Sequence, residues 1–129
     1  MLLKKWMKRM KYMNREPLRT MDIDFTAATQ RAMRVRRLYH RLEKQNHKSE
    51  WSIEEDMLAF TSDIGVLARL VMASEGRWLH GEDAHTELRG KIAECLWWLL
   101  VLSERMDMDI TIEFKSFMDK LDTEIELDG

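Results

Sequence analysis

The feature that most constrains this 129-residue chain is a run of eight apolar residues, Cys95 to Leu102, inside a longer segment of helix-forming residues. That segment, roughly Ala84 to Met106, contains no proline, and the whole chain holds one Pro and five Gly, which favours helix. A helix that is apolar on all sides must be covered on all sides. We therefore expect an all-α, four-helix-bundle-type fold that forms a homodimer or homotetramer, with this third helix in the shared core.

Three further helices are predicted from helical spacing and from their caps. The first begins after the N-cap Asp24 and ends near residues 45–48. The second follows a capping box formed by Ser52 and Glu55, and Gly76 ends it. Asp109 caps the fourth helix, whose apolar residues are predicted to face inward: Ile110, Ile112, Phe114, Phe117, Met118, Leu121 and Ile125.

Charge divides the chain into a basic extension, 1–20, and a domain, 21–129. The extension holds seven Lys or Arg and one acid, so the domain carries a formal charge of −8 within the total of −2. The extension is predicted to be either an amphipathic helix that contacts a membrane surface or a partner, or a poorly ordered segment. The acidic domain argues against nucleic acid as a partner and suits a pocket that collects divalent cations.

Cysteine usage and hydropathy indicate the compartment. The lone Cys95 has no partner for an internal disulfide and is predicted to be a small buried residue. The longest apolar run is far shorter than the roughly 20 residues of a membrane-spanning helix, and the N-terminus lacks a signal-peptide pattern. We therefore expect a cytoplasmic protein and no membrane partner.

Two acidic residues, Asp63 and Glu94, lie within long apolar helices, where an unpaired charge is costly to bury. One interpretation places them at the solvated helix surface. The other brings them together across antiparallel helices around a divalent metal, since Mg²⁺ prefers carboxylate oxygens and retained waters.

Several segments resemble the signature helices of the MazG-like nucleotide pyrophosphohydrolases, and the likeness spans about residues 21 to 126. The residues that carry it are Asp63-Ile64-Gly65-Val66-Leu67-Ala68-Arg69-Leu70-Val71-Met72, Ile92-Ala93-Glu94-Cys95-Leu96-Trp97, Glu75-Gly76-Arg77, Leu100-Val101-Leu102 and Met108-Asp109-Ile110. The resemblance implies an all-α nucleoside triphosphate pyrophosphohydrolase that releases the monophosphate and pyrophosphate. It also implies that an acidic pair, three residues apart on each of two helices, binds Mg²⁺.

The sequence departs from this pattern at two of the four positions. The first pair reads Asp63 and Val66, and the second reads Lys91 and Glu94, so the four positions carry −1 where the family carries −4. Fewer carboxylates and an added ammonium both weaken the binding of a hard cation. One hypothesis places the Lys91 ammonium in the metal position, paired with Asp63 or Glu94. The alternative, which can coexist with it, is an exposed pair with Glu87, four residues earlier.

Four other residues are weaker candidates for metal ligands. Asp56 and Glu87 lie two turns before Asp63 and Glu94 and offer a shifted metal site, although acids near helix starts are more often solvated. Zinc at His80 and His85, in a loop without a nearby cysteine, is not favoured.

Arginine and tryptophan residues are candidates for substrate binding. Arg69 and Arg77 are expected either to contact triphosphate oxygens or to be ordinary surface charges. Trp51 and Trp78 are open to base stacking or to packing, and packing is favoured for Trp97 and Trp98.

Three functions follow from these features. The first is a house-cleaning nucleoside triphosphate pyrophosphohydrolase, weakened by Val66 and Lys91. The second is a catalytically inactive relative that acts as a nucleotide-binding or regulatory oligomeric module. The third is a structural adaptor that docks through its basic extension.

Overall fold

The computed structural model describes residues 24–81 and 83–128, and the predicted basic extension, 1–20, lies outside them. In these residues, four α-helices follow one another: α1 (Phe25–His47), α2 (Ile53–Ser74), α3 (Ala84–Arg105) and α4 (Ile110–Asp128). Strands are absent from the described residues. The prediction of an all-α fold is confirmed.

The helices begin at the predicted caps. The Asp24 carboxylate accepts a 2.7 Å hydrogen bond from the Ala27 amide at the start of α1. Ser52 and Glu55 form the complete capping box at the start of α2. Each cap satisfies amide donors that a helix leaves without an internal partner, which is why these boundaries were readable from sequence.

The turn after α2 needs a left-handed backbone. Gly76 adopts a φ of +74°, a conformation that glycine takes without the steric cost of a Cβ atom. The predicted end of the second helix at this glycine is confirmed.

Helix α3 is the centre of the fold. It packs most extensively on α2 and also on α1, whereas α4 makes only slight contacts with α1 and α3. One buried cluster joins Ala32 of α1 to Leu100 and Val101 of α3. A second joins Phe60 of α2 to two residues of α3, Cys95 and Trp98. Helix α3 therefore contributes to both buried clusters, and Cys95 is buried as expected, whereas the place of this helix in a core shared between subunits stays a prediction.

Much of the apolar surface remains uncovered in a single chain. Seven apolar residues of the described part are buried, whereas 22 large ones are exposed. On α3 the exposed residues include Ile92, Leu96 and Leu99, spaced as one face of a helix. The third helix is thus buried on one side and open on the other.

Helix α4 does not pack as predicted. Five residues of its expected inward face are exposed: Ile112, Phe114, Phe117, Met118 and Ile125. The main aromatic contact is an edge-to-face pair between Phe114 and Phe25, with ring centroids 5.4 Å apart. The inward packing of this face was a wrong prediction for the single chain, because periodicity identifies an apolar face and not the surface that covers it.

By length and composition alone, α2 is the one helix among the described residues that is able to span a membrane. Core helices of soluble proteins meet the same criterion but are mostly buried, whereas 11% of this window is buried within the chain. The expected cytoplasmic location stays a prediction.

Candidate functional site

Helices α2 and α3 bring Asp63, Lys91 and Glu94 together. The Lys91 ammonium donates hydrogen bonds to Glu94 Oε2 at 2.8 Å and to Asp63 Oδ1 at 3.2 Å. The side chains of Asp63 and Lys91 are each 19% exposed, and that of Glu94 is 44% exposed. We call these three residues the lysine–carboxylate cluster.

The cluster forms because α2 and α3 run antiparallel. Asp63 of α2 lies beside Lys91, while Asp56, two turns earlier, lies beside Arg105 at the other end of α3. Lys91 and Glu94 are three residues apart, so both side chains project from the same side of α3. Of the two interpretations of Asp63 and Glu94, the structure therefore favours convergence, with the Lys91 ammonium bound to both carboxylates.

Trp98 holds the other oxygen of Asp63. Its indole N–H donates a 2.7 Å hydrogen bond to Asp63 Oδ2, and its side chain is buried. Partial burial acts to raise the pKa of Asp63, but the hydrogen bonds from Trp98 and Lys91 outweigh it and hold that pKa below its ordinary value. Asp63 is therefore an anion with both oxygens already bound.

Lys91 is firmly charged. Its hydrogen bond to Glu94 raises the pKa of the ammonium, against the effect of burial, and the bond to Asp63 adds to the rise. The predicted pairing of Lys91 with Asp63 or Glu94 is confirmed, since the ammonium binds both, whereas its place in a metal position stays a prediction. Glu87, the alternative partner, instead lies 3.0 Å from His80 through its Oε2 atom.

The cluster does not form the four-carboxylate Mg²⁺ site that the resemblance implies. Val66 supplies no oxygen and is 42% exposed, and the Lys91 ammonium contacts both available carboxylates. Among residues 24–81 and 83–128, no three His, Cys, Asp or Glu side chains are grouped to hold a metal ion. An ammonium between the carboxylates repels a hard cation and competes for the same oxygens.

Asp56 differs most from its prediction. It was expected to be a solvated acid of the first turn of the second helix or a shifted metal ligand, but it is completely buried. Its oxygens accept hydrogen bonds of 2.6 Å from Arg36 and 2.6 Å from Arg105. Two guanidinium groups therefore occupy the carboxylate, which makes it a structural anchor of α1, α2 and α3 and not a metal ligand.

Glu43 completes this buried network. It accepts two hydrogen bonds from Arg36, at 2.7 and 3.1 Å, and one from the backbone amide of Trp51 at 2.8 Å. Burial acts to raise the pKa of Glu43, but its bond with Arg36 holds that pKa below the ordinary value. The sequence contained no local signal for the network, since Arg36 and Asp56 are 20 residues apart.

The four candidate substrate-binding residues lie in different surroundings. The Arg69 guanidinium stacks over the ring of Trp78, 5.5 Å from its centroid, and Trp78 is half exposed. Arg77 is exposed just after α2. Trp51 is partly buried and its carbonyl accepts hydrogen bonds from Arg105. No hydrogen bond or ion pair among the described residues joins any of the four to the lysine–carboxylate cluster.

Trp97 and Trp98 pack as predicted. Their ring centroids are 4.6 Å apart, and both belong to or pack on the buried cluster around Phe60. The role of Trp98 as a donor to Asp63 was not predicted. The sequence contained one sign of this role: Trp98 lies four residues after Glu94, so the two side chains project from the same face of α3.

In comparisons with known proteins, no family model matches the chain, and no curated protein or solved structure is significantly similar to it. The MazG-like resemblance therefore depends on the motif residues alone and stays a prediction.

Proposed function

We propose that this chain is a MazG-like nucleoside triphosphate pyrophosphohydrolase of low activity, which converts the triphosphate to a monophosphate and pyrophosphate. The observation that supports the proposal is the meeting of Asp63 and Glu94 between α2 and α3. These are the two acids that the signature resemblance selects. The second position of each acidic pair is held by Val66 and Lys91, which supply no carboxylate. We propose low activity because two of the four metal-binding acids are therefore missing.

Lys91 is the resident cation of this proposed site. An ammonium is a compact point charge that binds phosphate oxygens, so it is suited to contact the triphosphate if Glu94 releases it. It supplies one positive charge where a divalent ion would supply two. The weaker electrostatic stabilisation of phosphate charge argues for a slow reaction.

A second candidate function is a catalytically inactive relative that binds nucleotides as a regulatory module. The specific observation in its favour is that Lys91 and Trp98 bind both oxygens of Asp63. An aspartate in this state has no oxygen left without a donor. The two candidates differ in turnover, and both predict nucleotide binding.

Pyrophosphate release separates them. The full chain is assayed with standard and damaged nucleoside triphosphates in the presence of Mg²⁺ or Mn²⁺. Slow release that Asp63→Asn and Glu94→Gln abolish, and that the exposed control Glu54→Gln leaves unchanged, supports the hydrolase. Saturable binding without release supports the inactive relative. Release that survives Asp63→Asn, or the absence of both binding and release, contradicts the proposed site.

We also propose that the chain forms a homodimer or homotetramer through the open side of α3. The supporting observations are the exposed residues Ile92, Leu96 and Leu99 and the slight contacts of α4 within the chain. Apolar faces of this extent are usually covered in soluble proteins. A second copy of the chain presents the same apolar face, so the two faces can cover each other.

A further inference from the structure

Helix α4 carries an apolar face that the other described residues leave largely uncovered. Five residues at helical spacing form it, and we call them the α4 face: Phe114, Phe117, Met118, Leu121 and Ile125. Four of them are exposed, and Ile125 is the most exposed at 68%. Leu121 is partly buried. A contiguous exposed apolar face of this kind marks an interaction surface.

The rim of the α4 face is acidic. Helical spacing places Glu113 and Glu124 on one side of the apolar stripe and Asp122 on the other, and all three are exposed. No ion pair between residues of the described ranges, 24–81 and 83–128, uses these carboxylates. The whole helix holds six acids and two lysines, a formal charge of −4. A second copy of α4 would bring the same charge and be repelled, whereas a basic amphipathic segment is complementary.

The basic extension, 1–20, has that complementary pattern in its sequence. It holds seven Lys or Arg and one acid, a formal charge of +6. Five apolar residues recur in it at helical spacing: Leu2, Leu3, Trp6, Met10 and Met13. The stripe from Leu2 to Met13 spans as many residues as the α4 face from Phe114 to Ile125. Each span corresponds to about 17 Å of helix, so charge, apolar spacing and length all match.

The first described residues lie beside α4. Asp24 caps α1, and the next residue, Phe25, meets Phe114 edge to face with ring centroids 5.4 Å apart. The ten residues 14–23, which join the apolar stripe of the extension to Asp24, reach at most about 35 Å. That reach exceeds the whole length of α4, about 28 Å. The extension can therefore reach the α4 face of its own chain, and the short tether favours this encounter over one with a separate molecule.

We propose that the basic extension, 1–20, binds the α4 face of the same chain. Its apolar stripe covers the α4 face, and its Lys and Arg side chains lie beside the acidic rim. Because the chain enters α1 beside Phe114, Met13 lies nearest Phe114 and Leu2 lies nearest Ile125. The inference does not depend on the proposed hydrolase, and it leaves the open side of α3 for the proposed second copy.

Hydrogen exchange measured by mass spectrometry on the full chain tests the proposal. Helix α4 has only slight contacts with the other described helices, so its amides should exchange quickly unless the extension covers it. Trp6→Asp places a charge in the apolar stripe and should speed the exchange of α4 about tenfold, because the loss of one large buried side chain shifts an equilibrium by that order. Equal exchange of α4 in the wild type and in Trp6→Asp would overturn the proposal.

Tyr12→Asp is the matched control. Tyr12 is an aromatic residue of the same segment that helical spacing places away from the apolar stripe, so this variant should exchange like the wild type. Exchange of α3 should stay unchanged in both variants, which shows that the domain remains folded. The same acceleration of α4 in Tyr12→Asp as in Trp6→Asp would overturn the proposed stripe contact.

A second pair of variants tests the acidic rim. Glu124→Lys reverses a rim charge and should speed the exchange of α4 about threefold, the order expected for exposed ion pairs. Glu126→Lys makes the same change two residues later, on the side of α4 away from the apolar face, and should have no effect. Equal effects of the two variants would contradict the placement of the extension on the α4 face.

Cross-linking of lysines to carboxylates identifies what covers the α4 face. In an equal mixture of isotopically labelled and unlabelled chains, links within one chain between 1–20 and the rim acids Glu113, Asp122 or Glu124 support the proposal. Links found only between labelled and unlabelled chains show that a second copy supplies the extension, and they overturn it. Protection of 1–20 from exchange that requires vesicles of phosphatidylcholine and phosphatidylglycerol assigns the extension to a membrane surface and also overturns it.

Discussion

Arg36 and Asp56 form an ion pair with almost no contact with solvent. The Arg36 Nη2 atom lies 2.6 Å from Asp56 Oδ1, and the two side chains are 1% and 0% exposed. The pair joins α1 to α2, and Arg105 adds α3 through a 2.6 Å bond to the other Asp56 oxygen. Buried charges are tolerated only when paired and hydrogen-bonded, so this network positions the three helices that surround the candidate site.

Removing the anion of this network should destabilise the fold strongly. Asp56→Ala leaves two arginines without their shared partner, and we expect a loss of about 3 kcal/mol of unfolding free energy, as is typical when one member of a buried pair is removed. Urea denaturation at neutral pH measures it. Glu54→Ala, an exposed acid of the same helical turn, should change stability by less than about 0.5 kcal/mol. Similar losses in both variants would contradict the role assigned to Asp56.

His40 makes stability sensitive to mild acid. Burial lowers the pKa of His40, and the positive charges of Arg36 and Arg105 lower it further, against the opposing effect of Glu50 and Glu43. The unfolded chain, with an ordinary histidine pKa near 6.5, therefore binds more protons than the folded chain below that pH. The contribution of His40 is full above about pH 6.5 and is lost as the pH falls toward its lower folded pKa.

Denaturation at a series of pH values between 7.5 and 5 measures this effect. In the wild type the free energy of unfolding should decrease as the pH is lowered from 7.5 to 5. His40→Gln should flatten the fall, whereas Gln45→Ala, at an exposed position of the same helix, should not. A slope that His40→Gln leaves intact would show that other groups carry the pH dependence.

The indole N–H of Trp98 should lower the pKa of Asp63. Trp98→Phe keeps a buried ring but removes the donor at 2.7 Å, so the pKa of Asp63 should rise toward its ordinary value. We expect a stability loss of about 1.5 kcal/mol, typical of a hydrogen bond to a charged group. Carbon-detected NMR titration of the Asp63 carboxyl follows the pKa, with Trp78→Phe as the control. An unshifted Asp63 titration would contradict the assignment.

Adding two acids at the cluster should create a metal site. The double variant Val66→Glu, Lys91→Glu brings the four positions to a formal charge of −4 and removes the competing ammonium, so calorimetry should detect tighter Mg²⁺ binding than in the wild type. Val71→Glu, Lys120→Glu makes the same change of charge at exposed positions elsewhere. Equal Mg²⁺ binding by both double variants would show a general charge effect and reject the site.

A charge on the open side of α3 should break self-association. Leu99→Glu places a carboxylate on a half-exposed apolar position, and burying it in an interface is costly. Sedimentation analysis should show an oligomer for the wild type and a monomer for the variant. Leu79→Glu makes the same substitution at a 95% exposed position outside the helices and should remain oligomeric. A monomeric wild type would reject the proposed assembly.

The amino-acid sequence by itself determined the helices and their ends. Caps such as Asp24 and the Ser52 and Glu55 box act within one helical turn, so local chemistry is sufficient to place them. It also determined that Asp63 and Glu94 needed an explanation, because each is an acid in an apolar helix. Their convergence with Lys91 was one of the interpretations that the sequence left open, and the packing of α2 on α3 decided it.

The tertiary structure alone decided which charges are buried and what they bind. Asp56 has the sequence surroundings of a solvated first-turn acid, yet Arg36 and Arg105 enclose it from two other helices. Likewise, the packing of α3 on α2 brings the Trp98 indole N–H within hydrogen-bond distance of Asp63. A charge is stabilised by groups that lie within a few ångströms of it in space. Residues far apart in the sequence reach such distances only when the helices pack, so the sequence does not show which of them will meet.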